Sequence, residues 1–180
     1  MRILFMRHGQ TNYNLLGLCN DDPAQDVQLT PTGIAQAEAA AEQLRLTPLD
    51  MIVTSALPRT RQTGDIINRY HGLALQTHSA LNDIRSGFNG RPVSDYFAAT
   101  AADPLNIAVN GGESLLMHKQ RVLTYLDWLR QQCASSILSI AHEETLRVFY
   151  ARFHGVPDAQ LRELHFANCE VLQFDFEPDN

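Results

Sequence analysis

Arginine and histidine side chains follow three short apolar segments of the sequence. The first apolar segment runs into Arg7 and His8, the second is closely followed by Arg59, and the third ends at His142. In open parallel sheets, reactive groups gather outside the carboxyl ends of the strands. If the three segments are parallel strands of one sheet, the two arginines and the two histidines meet at one edge.

These residue types suit the transfer of a phosphoryl group. A guanidinium is a planar fork that holds two phosphoryl oxygens and keeps its charge. A neutral histidine is a nucleophile near pH 7, and the phosphoramidate that it forms is open to hydrolysis by water. A second histidine, when protonated, can donate to the phosphoryl group, and a nearby carboxylic acid can protonate the leaving alkoxide.

Composition indicates an ordinary globular chain. With 180 residues, 44% hydrophobic and 19% charged, the sequence predicts a single domain over residues 1–180 with a substantial core. The net charge of −6 argues against a binder of nucleic acid or of an anionic membrane surface.

Cysteine usage and hydropathy predict a cytoplasmic location. Cys19, Cys133 and Cys169 are an odd number of widely spaced cysteines, which favours reduced thiols over a disulfide framework. Arg7 comes too early for a signal peptide, and no apolar run is long enough to span a membrane. The sequence carries no signal of the oligomeric state.

Strand and helix patterns alternate along the chain, which predicts an α/β fold with a mostly parallel sheet between two layers of helices. Thr30 is a candidate N-cap, with Pro31 in the first helical position, and Ser114 is a second candidate cap. The predicted strands are 2–6, 50–54, 74–77, 136–141 and 170–176, and the predicted helices are 31–45, 59–70, 115–132 and 145–154.

Several rival chemistries lack their motifs. No cysteine is followed six residues later by arginine, as a thiolate phosphate loop requires. His142-Glu143 begins like a zinc-protease HExxH, but the second ligand position holds Leu146. No GxxxxGK[ST] nucleotide-binding loop is present.

Six segments, in the right order and over nearly the whole chain, resemble motifs of the histidine phosphatase superfamily, also called phosphoglycerate-mutase-like. They are RHGQTNYN, LTPTGIAQA, TSALPRTRQT, LNDIRSGFNG, NGGES and SIAHEETLR. The resemblance implies the three-layer α/β/α sandwich of that family. It also implies that His8 is the phosphorylated nucleophile, while Arg7, Arg59, His142 and Asn14 hold the phosphoryl group.

The resemblance further implies roles around these residues. Asp83 occupies the proton donor's position, and Gln10 and Thr11 would shape the loop. The possible substrate contacts are Gln10, Thr11, Glu113 and Glu143. The partner would be a small-molecule phosphate, and no metal or organic cofactor is expected.

Two positions depart from the family pattern. The donor is commonly Glu, and Asp83 is shorter by one methylene, roughly 1.3 Å of reach. Either the backbone compensates, or another carboxylate (Glu113, Glu143 or Glu144) donates, or protonation of the leaving group is weak. Glu143 stands where glycine commonly follows the histidine, so it would oppose a phosphate dianion unless it points away or contacts a cationic part of the substrate. It could also be a plain exposed residue.

Within the family, the sequence favours a phosphatase over a mutase that depends on 2,3-bisphosphoglycerate. A mutase must retain a bisphosphate and exclude water, which takes extra cationic contacts. The lid-like insertion around residues 85–112 holds only Arg85 and Arg91 as cations, and Phe88, Tyr96 and Phe97 are its candidate selectivity residues. A catalytically impaired protein that binds a phosphate ligand remains a third hypothesis.

Overall fold

A five-stranded sheet forms the centre of the molecule, in a computed structural model that describes residues 1–176. The order across the sheet is β3-β2-β4-β1-β5, and only β5 runs antiparallel to its neighbour. The mostly parallel sheet is as predicted. The strands are β1 (Arg2–Arg7), β2 (Met51–Thr54), β3 (Leu75–Thr77), β4 (Ser136–Ala141) and β5 (Val171–Asp175).

Four longer helices cover the sheet, and two short ones were not predicted. The helices are α1 (Asn12–Leu16), α2 (Pro31–Leu44), α3 (Pro58–Ile67), α4 (Val93–Ala99), α5 (Leu115–Leu129) and α6 (Glu143–His154). The sequence shows no helical pattern at α1 and α4, because five and seven residues are too few for a helical period. No helix within residues 1–176 is long and apolar enough to cross a membrane.

Apolar residues on both faces of the strands produce the three layers. In β1, Ile3 and Phe5 pack in one cluster with residues of α5 and α6, such as Tyr125 and Phe149. The alternate residues of β1 belong to a second cluster with residues of α2 and α3. Because side chains alternate along a strand, a continuous apolar run feeds both cores at once. The predicted α/β/α sandwich is therefore confirmed.

Side-chain caps start two of the long helices where the sequence predicts. Thr30 accepts a hydrogen bond from the Gly33 amide at 3.0 Å, and Ser114 accepts one from the Met117 amide at 3.2 Å. The last long helix, α6, begins at Glu143, two residues earlier than predicted. Acidic side chains in a first helical turn interact favourably with the helix dipole, which explains why the helix reaches back to His142.

Two glycines let the loop after β1 lie against the start of α2. A Cβ atom on Gly9 would meet the Gly33 carbonyl oxygen at 2.5 Å, and one on Gly33 would meet the Gln10 carbonyl oxygen at 2.0 Å. Either distance is far inside van der Waals contact. The absence of a side chain at Gly9 thus allows the loop after β1 to lie close to the start of α2.

Replacing Gly33 with alanine should therefore destabilise the protein and move the loop that holds His8. We expect Gly33→Ala to lower the free energy of unfolding by roughly 1–3 kcal/mol, as overpacking does, measured by urea denaturation. Gly72→Ala is the control, since no atom lies within 4 Å of that Cβ position and the cost there comes from its positive φ alone. Equal losses in the two variants would contradict the proposed backbone contact.

Candidate active site

The Arg59 guanidinium lies between the two histidines at the carboxyl edge of the sheet. Its Nε is 3.2 Å from Nε2 of His8 and 3.3 Å from Nδ1 of His142. The two imidazole rings are 5.2 Å apart between centroids. Arg7, at the end of β1, is paired in register with Ala141, at the end of β4. The parallel pairing of β1 with β4 thus brings the predicted arginine and histidine side chains together at one edge of the sheet.

A hydrogen bond to the backbone sets the orientation of His8. Its Nδ1 lies 2.7 Å from the Gly9 carbonyl oxygen, which can only accept. The Nδ1 atom therefore carries the proton, and Nε2 presents a lone pair on the side of Arg59. Neutral imidazole with a free Nε2 is the nucleophilic form.

Burial keeps both histidines neutral. Removal from water, followed in importance by the positive charge of Arg59, holds the pKa of His8 well below its usual value. The same two causes, in the same order, lower the pKa of His142. Both rings are therefore uncharged near pH 7 in the free protein.

A network of hydroxyl groups fixes the second histidine. Nε2 of His142 is 2.9 Å from the Ser55 hydroxyl, and that hydroxyl is 2.8 Å from the hydroxyl of Thr60. The other nitrogen, Nδ1, faces the Asp83 carboxylate at 3.5 Å. The Ser55 side chain thus orients the ring and directs Nδ1 towards Arg59 and Asp83.

Asp83 reaches the centre of the site. Its Oδ2 accepts a hydrogen bond from Nη2 of Arg59 at 2.9 Å, and its Oδ1 accepts one from the Ile84 amide at 2.9 Å. The shorter side chain is therefore long enough to contact Arg59 and His142, because the loop that carries it lies close to Arg59.

Asn20 is a partner of the buried guanidinium that the sequence did not indicate. Nη1 of Arg59 donates to the Asn20 side-chain oxygen at 2.7 Å, and Nη2 donates to its carbonyl oxygen at 3.0 Å. Asn20 lies in an irregular loop outside all six motifs, so no local pattern could have shown its role.

The second predicted arginine, Arg7, also lines the cleft. Nη1 of Arg7 donates to the Phe166 carbonyl oxygen at 2.5 Å and pairs with Oε2 of Glu143 at 3.0 Å. Its buried Nε has no hydrogen-bond partner within the described part of the chain. An N–H donor therefore remains on this guanidinium.

Thr11 and Asn14 both line the cleft and also begin helix α1. The Thr11 hydroxyl accepts from the Asn14 amide at 3.1 Å, while the Asn14 side-chain oxygen accepts from the Thr11 amide at 2.9 Å. This is a reciprocal capping arrangement. Because this arrangement engages only the side-chain oxygen of Asn14, the side-chain NH₂ group of Asn14 is left to donate elsewhere.

Three predicted site residues do not line the cleft: Gln10, Glu113 and His142, of which His142 still contacts Arg59 at 3.3 Å. The Gln10 side-chain oxygen accepts from the Thr30 hydroxyl at 2.9 Å, which turns it towards α2. Glu113 is 2% exposed and lies behind the loop of Asp83. The expectation that Gln10 and Glu113 touch substrate is corrected accordingly: tertiary hydrogen bonds hold both side chains elsewhere.

Glu113 organises the loop that carries Asp83. Burial by itself raises the pKa of Glu113, but hydrogen bonds from Arg121, His118 and the Arg85 amide outweigh it and hold that pKa well below the usual range. Arg121, bound by Glu113 at 2.8 Å, also donates to the carbonyl oxygens of residues 79, 80, 82 and 83. An ionised, fully engaged carboxylate of this kind is not a proton donor.

The cleft has a volume of about 340 Å³ and a largely apolar wall. Tyr96 and Phe97, on α4 within the predicted lid, line it, whereas Phe88 packs behind Tyr96 and Arg91 lies over the Phe88 ring. The remaining hydrophobic lining residues are Tyr13, Leu18, Cys19, Val27, Ile84 and Val93. Within residues 1–176, no cluster of three acidic, histidine or cysteine side chains could hold a metal ion.

Comparison with known proteins identifies the family. The family model of the histidine phosphatase superfamily (branch 1) matches residues 3–180, and the chain therefore belongs to that superfamily. A relative named probable phosphoglycerate mutase GpmB, from Yersinia pestis (strain Pestoides F), is 28% identical over 98% of this chain and 86% of its own length.

Solved structures share the fold. The alpha-ribazole phosphatase of Shigella flexneri superposes with a TM-score of 0.89 at 24% identity, over 98% of this chain and 91% of that one. A mycobacterial glucosyl-3-phosphoglycerate phosphatase gives a TM-score of 0.81 at 25% identity, over 96% and 91%. The protein thus has the fold of the phosphoglycerate-mutase-like phosphatases.

The lowered pKa of the two buried histidines predicts a loss of stability in mild acid. Unfolded histidine binds a proton near pH 6.5, whereas His8 and His142 bind one only at lower pH when folded. Between pH 7.5 and 5.5 the unfolded state therefore gains protons first, and each histidine should cost about 1 kcal/mol of stability.

Urea denaturation at the two pH values measures this loss. His8→Gln and His142→Gln should each flatten the dependence on pH, whereas His154→Gln, at an exposed histidine, should not. A slope that is the same in all four proteins would show that the buried rings are not responsible.

Proposed function

We propose that this protein is a phosphomonoesterase that transfers a phosphoryl group from a small-molecule ester to Nε2 of His8 and then to water. One observation carries the proposal. Nε2 of His8 holds a lone pair because Nδ1 is bound to a carbonyl oxygen, and it lies 3.2 Å from the Arg59 guanidinium in the cleft.

The first step forms the bond between Nε2 and phosphorus and breaks the ester bond between phosphorus and oxygen. Arg7 and Arg59 balance the negative charge of the phosphoryl oxygens, and His142 and the Asn14 amide add donors. His142 donates once the bound dianion has drawn a proton onto its Nδ1.

Asp83 supplies the proton that the leaving alkoxide needs. The negative charge of the bound phosphate dianion beside it favours the protonated carboxyl form that this role requires. In the second step Asp83 takes a proton from water, the water oxygen attacks phosphorus, and the bond to Nε2 breaks. Phosphate leaves, and His8 returns to its neutral state.

A mutase is the alternative, because the relative from Yersinia pestis carries that name. The charges favour the phosphatase: of the two cations in segment 85–112, Arg85 pairs with Glu113 and Arg91 pairs with Asp95. Neither lines the cleft. We include in the proposal that segment 85–112 acts as a lid, and that the protein is cytoplasmic, where thiols such as its free cysteines stay reduced.

Hydrolysis of p-nitrophenyl phosphate in the presence of EDTA tests the reaction. We expect turnover that survives EDTA and disappears in His8→Ala, with His154→Ala as the matched control that keeps it. Brief mixing with ³²P-labelled substrate should label the protein on His8 in an acid-labile form. Absence of turnover in the parent protein would favour the ligand-binding hypothesis, and bisphosphate-dependent conversion of 3- to 2-phosphoglycerate would establish the mutase.

Asp83→Asn tests the proton donor by comparing two leaving groups. An alkyl alcohol leaves poorly without a proton, whereas p-nitrophenolate scarcely needs one, so kcat for an alkyl phosphate should fall roughly 10²- to 10⁴-fold. The loss on p-nitrophenyl phosphate should be far smaller. Equal losses on both substrates would remove Asp83 from this role.

A further inference from the structure

Two carboxylates form one rim of the cleft. Glu143 and Glu144 are the first residues of α6, directly after His142, and both line the cleft. Their side chains are only 22% and 19% exposed. We call this pair the carboxylate rim.

One arginine is shared by the whole carboxylate rim. Arg147 contacts Oε1 of Glu143 through Nη2 at 3.2 Å and Oε1 of Glu144 through Nη1 at 2.7 Å. Its Nε donates to the Leu164 carbonyl oxygen at 2.7 Å. Each nitrogen of this guanidinium is already engaged within the protein.

The charges of the cleft separate into two ends. Arg7 and Arg59 face the reacting phosphoryl group beside His8, and Asp83 accompanies Arg59. The other charged side chains that line the cleft in the described part of the chain are the carboxylate rim and Arg147, and His165 lies beside them with its Nδ1 3.3 Å from Oε1 of Glu143. With His165 counted as neutral, two carboxylates against one guanidinium leave a formal charge of −1 at that end, and Glu143 is in addition the partner of Arg7 at 3.0 Å.

Cations outside the cleft lining do not change this balance. Arg162, which borders the lid, donates to the Thr100 hydroxyl at 2.8 Å and lies over the rings of Tyr96 and Phe97. Beyond the rim, the leaving-group end is bounded by apolar side chains such as Val93, which screen charge poorly.

We propose that Glu143 and Glu144 select phosphate esters whose alcohol carries no second negative charge. This inference rests on the proposed function and specifies its substrate class. A carboxylate or second phosphate on the alcohol would lie near a rim of like charge, with no unengaged cation to pair with it. Like charges placed together in a poorly solvated cleft weaken binding substantially.

A neutral alcohol can interact favourably with the same groups. Its hydroxyl groups can donate to the rim carboxylates, and its apolar part can pack on Tyr96 and Phe97. The rim thus favours neutral, partly apolar alcohols and excludes acidic ones.

Two matched aryl esters test the selection. 4-Carbamoylphenyl phosphate and 4-carboxyphenyl phosphate have similar size and leaving groups, and differ mainly by one charge. We expect kcat/KM to be at least about tenfold higher for the neutral ester, as a like-charge contact at partly screened distance implies.

Variants of the carboxylate rim test whether its charges cause the preference for the neutral ester. Glu144→Gln is the cleaner one, because Glu144 contacts Arg147 and not Arg7. Glu144→Gln should lower the ratio of kcat/KM for the neutral ester to kcat/KM for the charged ester several-fold, and Glu143→Gln should do the same. Asp95→Asn changes net charge equally on α4 outside the cleft lining and should leave the ratio unchanged.

Equal kcat/KM for the two esters, or a preference that neither rim variant alters, would overturn the inference. If neither ester is hydrolysed, the proposed function fails, and binding decides the inference separately. Dissociation constants of the two corresponding benzylphosphonates, measured by calorimetry, should then show the same preference and the same response to Glu144→Gln. Equal affinities would again refute it.

Discussion

The buried guanidinium of Arg59 is the interaction on which the site depends. Arg59 is 4% exposed, and a charge removed from water must be compensated by hydrogen bonds and an opposite charge. Asn20 and Asp83 provide both, so the loops that carry them are held against the start of α3. The same charge contributes to the neutrality of the two histidines. The packing of these loops and the neutral state of the two histidines thus depend on one side chain.

Carboxylates around the cleft have different environments and therefore different capacities. Glu113 is buried and bound by Arg121, which fixes it as a permanent anion that anchors the loop of residues 79–83. Asp83 is partly exposed, at 21%, and contacts Arg59 directly. Of these two carboxylates, only Asp83 has the access to solvent that the proposed exchange of protons with water needs. The surroundings of Glu113 and Asp83, more than the lengths of their side chains, distinguish the anchoring carboxylate from the proposed proton donor.

The phosphoryl end and the leaving-group end of the cleft meet at Glu143. One oxygen of this carboxylate pairs with Arg7, and the other contacts Arg147. It therefore reduces the excess positive charge at the phosphoryl end while it contributes to the carboxylate rim. In the proposed function, strong binding of one dianion and weak binding of a second anion is the physical distinction between hydrolysing a monoester and retaining a bisphosphate.

The sequence by itself determined the strands, the long helices and the meeting of Arg7, His8, Arg59 and His142, because apolar runs, caps and the ends of parallel strands follow local rules. Contacts between distant segments decided the rest. Asn20 contacts Arg59, Glu113 lies behind the loop that carries Asp83, and Gly9 packs against Gly33. No local sequence pattern encodes these contacts. The predicted helix began at residue 145 and left Glu143 and Glu144 outside it. Only the tertiary structure showed that both carboxylates line the cleft together with Arg147, since the path of the chain between elements decides which charges meet.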